Sequence, residues 1–311
     1  MLVKFIVAID LGATNLKVAI LNSSYRIICK KFYPTQTCRN KLQLIDKICA
    51  AIYEILNEKK INKNKILGIG IGVPGPIDYS KGKVHFFPNI PGWRDVGLKA
   101  ILEKRIKLPV FIDNDANLMC LAETRIGAAK KSKNAICLTL GTGVGAGIII
   151  NRNLYRGSSF AAGEIGHMPL NERGPRCSCG GRACLERYIG NKEIKERARK
   201  VFRRDVSLEE LSSLAKKGNR KAIQLWYNVG TQLGIALAGL ANVLNPDCIV
   251  LGGGVAKAGS YLFSGVKDTI KSRAMPIQAK AVKLMKAKLG SDAGLIGAGI
   301  LLKESLKLCR Y

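Results

Sequence analysis

One loop of the sequence brings together residue types that bind zinc. His167, one of two histidines, is followed by Cys177, Cys179 and Cys184, with a Gly-Gly pair between the last two cysteines. Zinc takes four ligands in a tetrahedron, commonly His nitrogen and Cys sulfur. The Cys177-Ser-Cys179 turn can aim two sulfurs at one point, while His167 and Cys184 approach from the flanking segments. Because four protein ligands leave no open position, the sequence predicts a structural zinc site.

The alternative is that these three cysteines are ordinary thiols without a metal. Free cysteines often lie in apolar cores, but this loop is rich in Gly, Arg and Pro and offers no such core. The loop also carries Glu164 and Glu186, which flank the four candidate ligands. A loop fixed by a metal would hold these carboxylates in place for a polar ligand rich in hydroxyl groups.

Two strand–turn–strand segments carry residue types that can bind a magnesium–phosphate group. In the first, an apolar run over residues 5–10 ends in Asp10 and is followed by a turn and a second strand over 16–21. A carboxylate can face a magnesium ion, while a hydroxyl and backbone amides face phosphate oxygens. An ordinary hairpin is the alternative, since Gly, Asn and Thr also favour turns. The candidate residues of this segment are Asp10, Gly12, Thr14, Asn15 and Lys17.

The second segment repeats this arrangement. A strand over 135–140 leads into a turn that contains Gly141, Thr142 and Gly143, and a strand over 146–150 follows. Aligning residues 10–12 with 139–141 places the two hairpins in register. The sequence therefore predicts two related α/β halves whose hairpins face one another across a cleft.

A polar cluster follows the apolar strand over 109–113. Asn114, Asp115 and Asn117 lie where the carboxyl end of this strand meets the next helix. Open α/β sheets bind ligands at the carboxyl ends of their strands. Helix capping is the alternative, because Asn and Asp are preferred caps. One cap needs only one such residue, so Asp115 is the candidate catalytic base.

Three further stretches could touch a ligand. A strand over 66–73 ends in a Pro-Gly-Pro turn that contains Gly75, and a loop over 85–93 carries Asn89 and Trp93. A strand over 248–251 runs into Gly252, Gly253 and Gly254, which let a flat base or a phosphate lie against the backbone. Simple chain reversals are the alternatives.

These residues need positioning by helices and strands of an α/β fold. Helical periodicity predicts amphipathic or surface helices over 41–60, 192–204, 207–217 and 222–244. A glycine-rich helix over 291–300 is expected to return to the first domain. The predicted domains are residues 1–113 with about 293–311, and residues 114–292 with the zinc loop.

Composition limits the function classes. The chain has 311 residues, a length typical of about two domains. Its hydrophobic fraction of 47% is enough to form their cores. No signal peptide or membrane span is expected, and cysteines within apolar segments suit a reducing cytoplasm. The net charge of +29 raises nucleic-acid binding as a possibility. Because the basic residues are scattered, we expect neither nucleic-acid nor membrane partners.

Taken together, these motifs resemble the ROK family of sugar kinases, specifically its glucokinase-like branch, within the actin/hexokinase-like ATPase superfamily. The resemblance covers essentially the whole length. It rests on the motifs at residues 10–14, 73–76, 114–117, 140–145, 163–167, 177–180, 184–186 and 251–254. It implies two ribonuclease-H-like domains with a cleft between them, a zinc-bound loop and a homodimer.

The resemblance also implies ligands and roles for residues. ATP and magnesium would lie between the Asp10 and Gly141 turns, with adenosine near 252–254, and zinc would be bound by the four ligands above. Ala13 and Ala183 depart from the pattern, which has glycine at both positions. The hexose would be held by Gly75, Asn89, Asn114, Asp115, Glu164, His167 and Glu186.

The expected function is ATP-dependent phosphorylation of a hexose, with glucose at its 6-hydroxyl as the leading substrate and Asp115 as the base. N-acetylhexosamines, mannose and fructose remain alternative substrates. The family also contains sugar-responsive repressors with an added N-terminal DNA-binding module, for which the start of the first strand near residue 3 leaves no room. A non-enzymatic sugar-responsive regulator is the less favoured alternative.

Overall fold

A computed structural model of the protein describes residues 4–12, 14–87, 90 and 92–309. The chain divides into two compact units. The first contains Met1–Ala122, Arg156–Ala162 and Ser291–Tyr311, and the second contains Glu123–Tyr155 and Gly163–Gly290. Both units combine helices with mixed sheets, so the predicted α/β class is confirmed. Among the described residues, no helix is both long and apolar enough to cross a bilayer.

The first unit is built on a five-stranded sheet and a smaller three-stranded one. In chain order its elements are β1 (Phe5–Leu11), β2 (Asn15–Leu21), β3 (Ile27–Pro34), α1 (Lys41–Glu58), β4 (Ile66–Val73), β5 (Ile77–Asp78), β6 (Lys83–Phe86), β7 (Arg94–Val96), α2 (Leu98–Ile106), β8 (Val110–Asn114) and most of α3 (Asp115–Arg125). The larger sheet has the order β3-β2-β1-β4-β8, and β5, β6 and β7 form the smaller one.

The second unit has its own five-stranded sheet and most of the remaining helices. Its elements are β9 (Ala135–Leu140), β10 (Val144–Ile150), β11 (Asn153–Tyr155), α4 (Glu186–Ile189), α5 (Asn191–Phe202), α6 (Leu208–Lys216), α7 (Arg220–Leu244), β12 (Cys248–Gly252), α8 (Ser260–Arg273), α9 (Pro276–Ala281) and β13 (Lys283–Lys286). The sheet has the order β11-β10-β9-β12-β13. The chain then returns to the first unit as α10 (Ala293–Leu308).

The two five-stranded sheets share one topology. In each sheet, the first three strands in chain order pair antiparallel in succession. The fourth strand pairs in parallel with the free edge of the first, and the fifth pairs in parallel with the fourth. The hairpins β1–β2 and β9–β10, both predicted from the sequence, therefore occupy equivalent places. In each hairpin, the turn follows the carboxyl end of the first strand, and that strand is buried along most of its length.

Close backbone packing holds α10 against the large sheet of the first unit. A Cβ atom added at Gly70 of β4 would lie 1.9 Å from the carbonyl oxygen of Ala298 in α10. One added at Gly297 would lie 1.9 Å from the carbonyl oxygen of Leu118 in α3. Only glycine permits this approach, because any Cβ would overlap backbone atoms that no rotamer change can move.

Candidate functional site

The second unit brings together the four side chains predicted to bind zinc. His167 ends a short 3-10 helix, and Cys177, Cys179 and Cys184 lie in the loop that follows. One ligand atom from each of the four lies within 4.8 Å of the others. Nδ1 of His167 is 3.6 Å from Sγ of Cys177, and the sulfurs of Cys179 and Cys184 are 3.7 Å apart.

The chemistry and spacing of these donors fit a tetrahedral zinc ion. Zn–S bonds of about 2.3 Å place two sulfurs about 3.8 Å apart in a tetrahedron. Burial raises the pKa of Cys184 to about 12, while a hydrogen bond from the backbone of Gly181 lowers the pKa of Cys179. Adjacent thiols resist forming several thiolates unless a cation compensates the charge. A zinc ion would supply that compensation.

The backbone of this loop is tightly folded by its own hydrogen bonds. The N–H of Cys177 donates to the carbonyl of Gly181 (2.9 Å), and that of Gly180 donates to the carbonyl of Cys177 (3.1 Å). Ala183 is fully buried and has a φ of 56°, in the left-handed region. Glycine adopts this conformation without strain, so the departure noted in the sequence falls where a methyl group carries a conformational cost.

Glu164 lies beside this cluster. It immediately precedes the 3-10 helix, and its Oε2 is 3.9 Å from Nε2 of His167. The imidazole thus presents Nδ1 to the cysteines and Nε2 to a half-exposed carboxylate. A sugar-binding candidate and a metal-binding candidate are therefore neighbours within the second unit.

Glu186 contacts the turn over residues 141–143 of the β9–β10 hairpin, the second predicted phosphate turn. It is the first residue of α4, and its Oε2 accepts a hydrogen bond from the backbone N–H of Val144 (3.0 Å), the first residue of β10. A Cβ atom at Gly143 would lie only 2.4 Å from the same oxygen. Glu186 was predicted to bind sugar, and its side chain also supports the turn predicted to bind phosphate.

The second phosphate turn borders a polar cavity. The N–H of Gly141 donates to the carbonyl of Gly143 (3.0 Å), and the first residue of α5, Asn191, donates to the carbonyl of Gly141 (3.0 Å). A cavity of about 450 Å³ lies beside the turn, with only polar and charged residues in its lining. The lining consists of Thr142, Asn191, Lys192, Lys195, Glu196, Arg199 and Asp205. Two of its three cations pair with carboxylates of the same lining, Lys192 with Glu196 (3.9 Å) and Arg199 with Asp205 (3.7 Å). None of these charged residues was among the sequence-predicted ones.

The glycine segment Gly252–Gly254 packs next to the same turn. Gly253 has a φ of 85°, and a Cβ atom there would lie 2.3 Å from the carbonyl oxygen of Leu140. Leu140 is the last residue of β9 and directly precedes Gly141. Two segments predicted to bind the nucleotide are thus adjacent within the second unit.

The first phosphate turn is pinned by an ion pair. Nζ of Lys17 lies 2.7 Å from Oδ2 of Asp10, and both side chains are partly buried. The N–H of Gly12 donates to the carbonyl of Asn15 (2.9 Å), which closes the hairpin. The Asp10 carboxylate also faces Gly294 of α10, where a Cβ atom would lie 3.1 Å from its Cγ. This hairpin presents a carboxylate and an ammonium group side by side.

Asn114 and Asp115 occupy the junction of β8 and α3, as the sequence predicted. The side-chain oxygen of Asn114 accepts hydrogen bonds from the N–H groups of Ala116 (2.9 Å) and Asn117 (3.3 Å), and its amide donates to the carbonyl of Gly75 (3.2 Å). Asp115 is the first residue of α3, and its Oδ1 accepts from the N–H of Ala116 (2.8 Å). Asn114 is therefore the residue whose side chain caps the start of α3, and Asp115 is the first residue of the helix.

A buried ion pair that the sequence analysis missed supports this junction. Asp113 is 2% exposed and accepts hydrogen bonds from Nε (2.8 Å) and Nη2 (2.7 Å) of Arg156 and from the side chain of Asn117 (2.9 Å). The Arg156 guanidinium also lies 3.7 Å above the ring of Tyr79. The contact joins residues 43 positions apart, so no local spacing reveals it. The carboxylate at a strand end was the available signal.

Some residues predicted to contact a ligand lie outside the clusters described above or outside the described part of the chain. Asn89 and Ala13 lie outside the described residues. Trp93, which the sequence offered as one possible ligand contact, is 2% exposed and packs on Phe87 with ring centroids 5.7 Å apart, so it is a core residue. Thr14 is exposed, and its hydroxyl accepts a hydrogen bond from the amide of Asn15 (3.1 Å).

Comparison with known proteins decides the family. The family model described as "ROK family" matches residues 6–305 of the chain. The chain belongs to the ROK family. Its resemblance to this family, stated above from motifs alone, is therefore confirmed.

Relatives of this ROK protein include both kinases and repressors. It is 36% identical to a glucokinase of Halalkalibacterium halodurans, across 97% of this chain and 96% of that protein. It is 35% identical to the xylose repressor of Bacillus spizizenii, across 77% of this chain but 62% of the repressor. Among solved structures, a ROK glucokinase of Streptomyces griseus in complex with glucose and AMPPNP matches with a TM-score of 0.81 and 29% identity, over 96% of this chain and 99% of that one.

Proposed function

We propose that this ROK protein is an ATP-dependent hexose kinase that phosphorylates the 6-hydroxyl of glucose. The observation that carries the proposal is Asp115, a half-buried carboxylate at the carboxyl end of β8 and the first position of α3. Strand ends of this kind are where α/β proteins bind their ligands. The 36% identity to a glucokinase over nearly the whole chain supports the same activity.

In this proposal the sugar hydroxyls are held by residues of several segments. Carboxylates and amides are suited to hydroxyl groups because they accept and donate hydrogen bonds with defined directions. Asn114 donates a hydrogen bond to Gly75, which supports these two residues as one group of sugar contacts. Glu164 lies next to His167, which supports them as a second group. The proposed sugar-binding residues are Gly75, Asn89, Asn114, Asp115, Glu164, His167 and Glu186.

The donor phosphates are proposed to bind at the two glycine turns. Asp10 would hold magnesium, directly or through water, and Lys17 would offer its ammonium group to a phosphate oxygen. The turn over 141–143 would offer the backbone N–H groups of Thr142 and Gly143, with Lys195 of the neighbouring cavity close by. Magnesium, when bound, would neutralise charge on the phosphates. The adenosine is proposed to lie near Gly252–Gly254.

The proposed reaction needs positioning and one proton acceptor. The 6-hydroxyl oxygen attacks the γ-phosphorus in line, the bond between this phosphorus and the β–γ bridging oxygen breaks, and ADP leaves. Asp115 accepts the hydroxyl proton as the new P–O bond forms. Exclusion of water from the site would limit hydrolysis of ATP.

Zinc is proposed to be structural. His167 and the three cysteines would complete its tetrahedron, so no position remains for a substrate. The metal would fix the loop that places Glu164 before His167 and Glu186 after Cys184. Its contribution would therefore be to sugar binding and not to the chemical step.

A sugar-responsive regulator without kinase activity is the second candidate, and the 35% identity to a xylose repressor favours keeping it. The two candidates differ in what they do to ATP. A coupled ADP-release assay with glucose, an N-acetylhexosamine, mannose and fructose separates them. The kinase proposal predicts sugar-dependent ADP release that is fastest with glucose. Sugar binding by calorimetry without any ADP release would favour the regulator and contradict the kinase.

A further inference from the structure

A groove between α5 and α7 forms a cavity that the proposed reaction does not use. Its volume is about 600 Å³, within the range of small-molecule sites. Residues one turn apart on each helix face the groove, so both helices contribute a continuous wall. The lining residues are Arg197, Lys200, Val201, Arg220, Lys221, Gln224, Leu225 and Asn228.

The charges in this groove all have one sign. Four of its eight lining residues are basic and none is acidic. Within the described part of the chain, Lys200, Arg220 and Lys221 make no ion pair. By contrast, Arg199, on another face of α5, is paired with Asp205 (3.7 Å). The groove therefore concentrates uncompensated positive charge, which attracts anions.

The start of α7 adds to the same potential. This helix has 25 residues, and its first turn carries Arg220 and Lys221 but no acidic side chain. Helix amino termini carry a partial positive charge that acidic groups normally offset. Asn219 caps the helix by accepting the N–H of Ala222 (3.1 Å), which brings no negative charge. An anion in the groove would be stabilised by the helix end and by both cations.

The walls and floor of the groove are largely apolar and partly fixed. Leu225 is buried, Val201 is 39% exposed, and the aliphatic stems of the basic residues lie alongside them. Arg197 is held in place by hydrogen bonds to the side chain of Gln232 (2.8 Å) and to the carbonyl of Tyr188. A ligand that fills the groove therefore needs an apolar surface as well as negative charge.

We propose that the α5/α7 groove binds a small organic phosphate with a flat apolar body. The phosphate would contact Lys200, Arg220 and Lys221, and the flat body would lie over Val201 and Leu225. Cations hydrogen-bonded to a phosphate form the strong, charge-assisted type of contact. This site is separate from the donor site under Proposed function and does not depend on it.

AMP is the probe for this proposal, because it combines one phosphate with a flat base. Binding to the full-length protein is measured by isothermal titration calorimetry. The groove variant replaces Lys200, Arg220 and Lys221 with Gln. A second variant, Val201→Glu, places an acidic side chain in the groove without removing a cation. Thermal melting of each variant checks that it is folded.

A charge-matched control variant replaces Lys192, Lys195 and Arg199, which line the cavity beside the second phosphate turn, with Gln. Both triple variants lose three positive charges, so a general electrostatic effect would be equal in the two.

The proposal predicts that wild-type protein binds AMP with a Kd below about 1 mM. The Kd for AMP rises by at least about tenfold in the groove variant and in Val201→Glu. The control variant still binds AMP in the groove. The proposal would be overturned if the wild-type protein did not bind AMP. It would also be overturned if the control variant lost all AMP binding while the groove variant kept it. Inorganic phosphate that binds as tightly as AMP would also overturn it, since the apolar surface would then contribute nothing.

Discussion

At the scale of single residues, the proposed chemistry depends on the Asp115 carboxylate. Replacing it with Asn keeps the shape and removes the proton acceptor. We expect Asp115→Asn to lower kcat by on the order of 10²–10⁴, while glucose binding is largely kept. Steady-state kinetics and calorimetry with glucose measure the two effects. Near-normal turnover in this variant would remove Asp115 from the base role.

The buried pair of Asp113 and Arg156 allows a second test at this scale. Arg156→Met leaves an uncompensated carboxylate at a position that is 2% exposed. Breaking a buried pair from one side costs about 3–5 kcal/mol, and we expect a loss in the free energy of unfolding near the lower end, because Asn117 still donates to Asp113. Urea denaturation measures it.

The double variant Asp113→Asn with Arg156→Met is the matched control. It removes both charges, so it should be clearly more stable than Arg156→Met alone. Equal stability of the single and double variants would show that the charge of Asp113 does not set the cost.

Single residues also show where sequence reasoning succeeds and where it stops. Asn114 and Asp115 were predicted at a strand–helix junction because strand and helix signals are local. The contact of Arg156 with Asp113 was not predicted, because it joins two segments that only the fold brings together. Ala183 was noted as a departure from a family pattern, and its left-handed φ explains why glycine suits that position.

At the scale of elements, close packing of α10 makes a sharp prediction. In Gly297→Ala the new methyl group would lie 1.9 Å from the carbonyl oxygen of Leu118. Overpacking of this kind typically costs about 1–3 kcal/mol, and we expect the upper end because backbone must move. Thermal or urea unfolding measures the loss.

Gly239→Ala is the control for this substitution. Gly239 lies inside α7, is exposed and has nothing within 4 Å of an added Cβ. Replacing a glycine inside a helix with alanine then stabilises by about 0.5–1 kcal/mol. A Gly297→Ala protein as stable as Gly239→Ala would contradict the packing of α10 described here.

The loop between His167 and Cys184 is the element whose order is proposed to depend on zinc. We expect roughly one zinc ion per chain by elemental analysis. Removing it with a chelator should abolish glucose binding while the far-ultraviolet circular dichroism stays nearly unchanged, since the loop contains little regular structure. Cys179→Ser should lower the zinc content, whereas Cys309→Ser, at another exposed cysteine, should not. Full glucose binding by metal-free protein would show that zinc does not order the loop.

Helices with strong periodicity were predicted within a few residues, as α1 and α7 illustrate. Strand β3 was not predicted, because its sequence IICKKFYP does not alternate apolar and polar residues, although its burial in the fold alternates. The short strands β5, β6 and β7 were missed because two to four residues give too little pattern for an assignment.

At the scale of the whole molecule, the sequence predicted two related α/β halves from a repeated strand–turn–strand pattern. The identical strand order of the two five-stranded sheets agrees with this relation. The pairing of β12 with β9 and of β4 with β8 could not be derived from the sequence, since strand partners are set by tertiary packing. Likewise, the net charge of +29 gave no location, whereas the fold gathers part of it in the α5/α7 groove.

The central claim is that the chain transfers the γ-phosphate of ATP to a hexose. Phosphorus-31 NMR of a mixture of protein, magnesium, ATP and glucose tests it most directly. The account predicts that ATP is converted to ADP while an equal amount of phosphate monoester appears at the 6-position of glucose, and that Asp115→Asn slows both changes together. Unchanged ATP in the presence of protein that binds glucose, or release of free phosphate without a sugar ester, would contradict it.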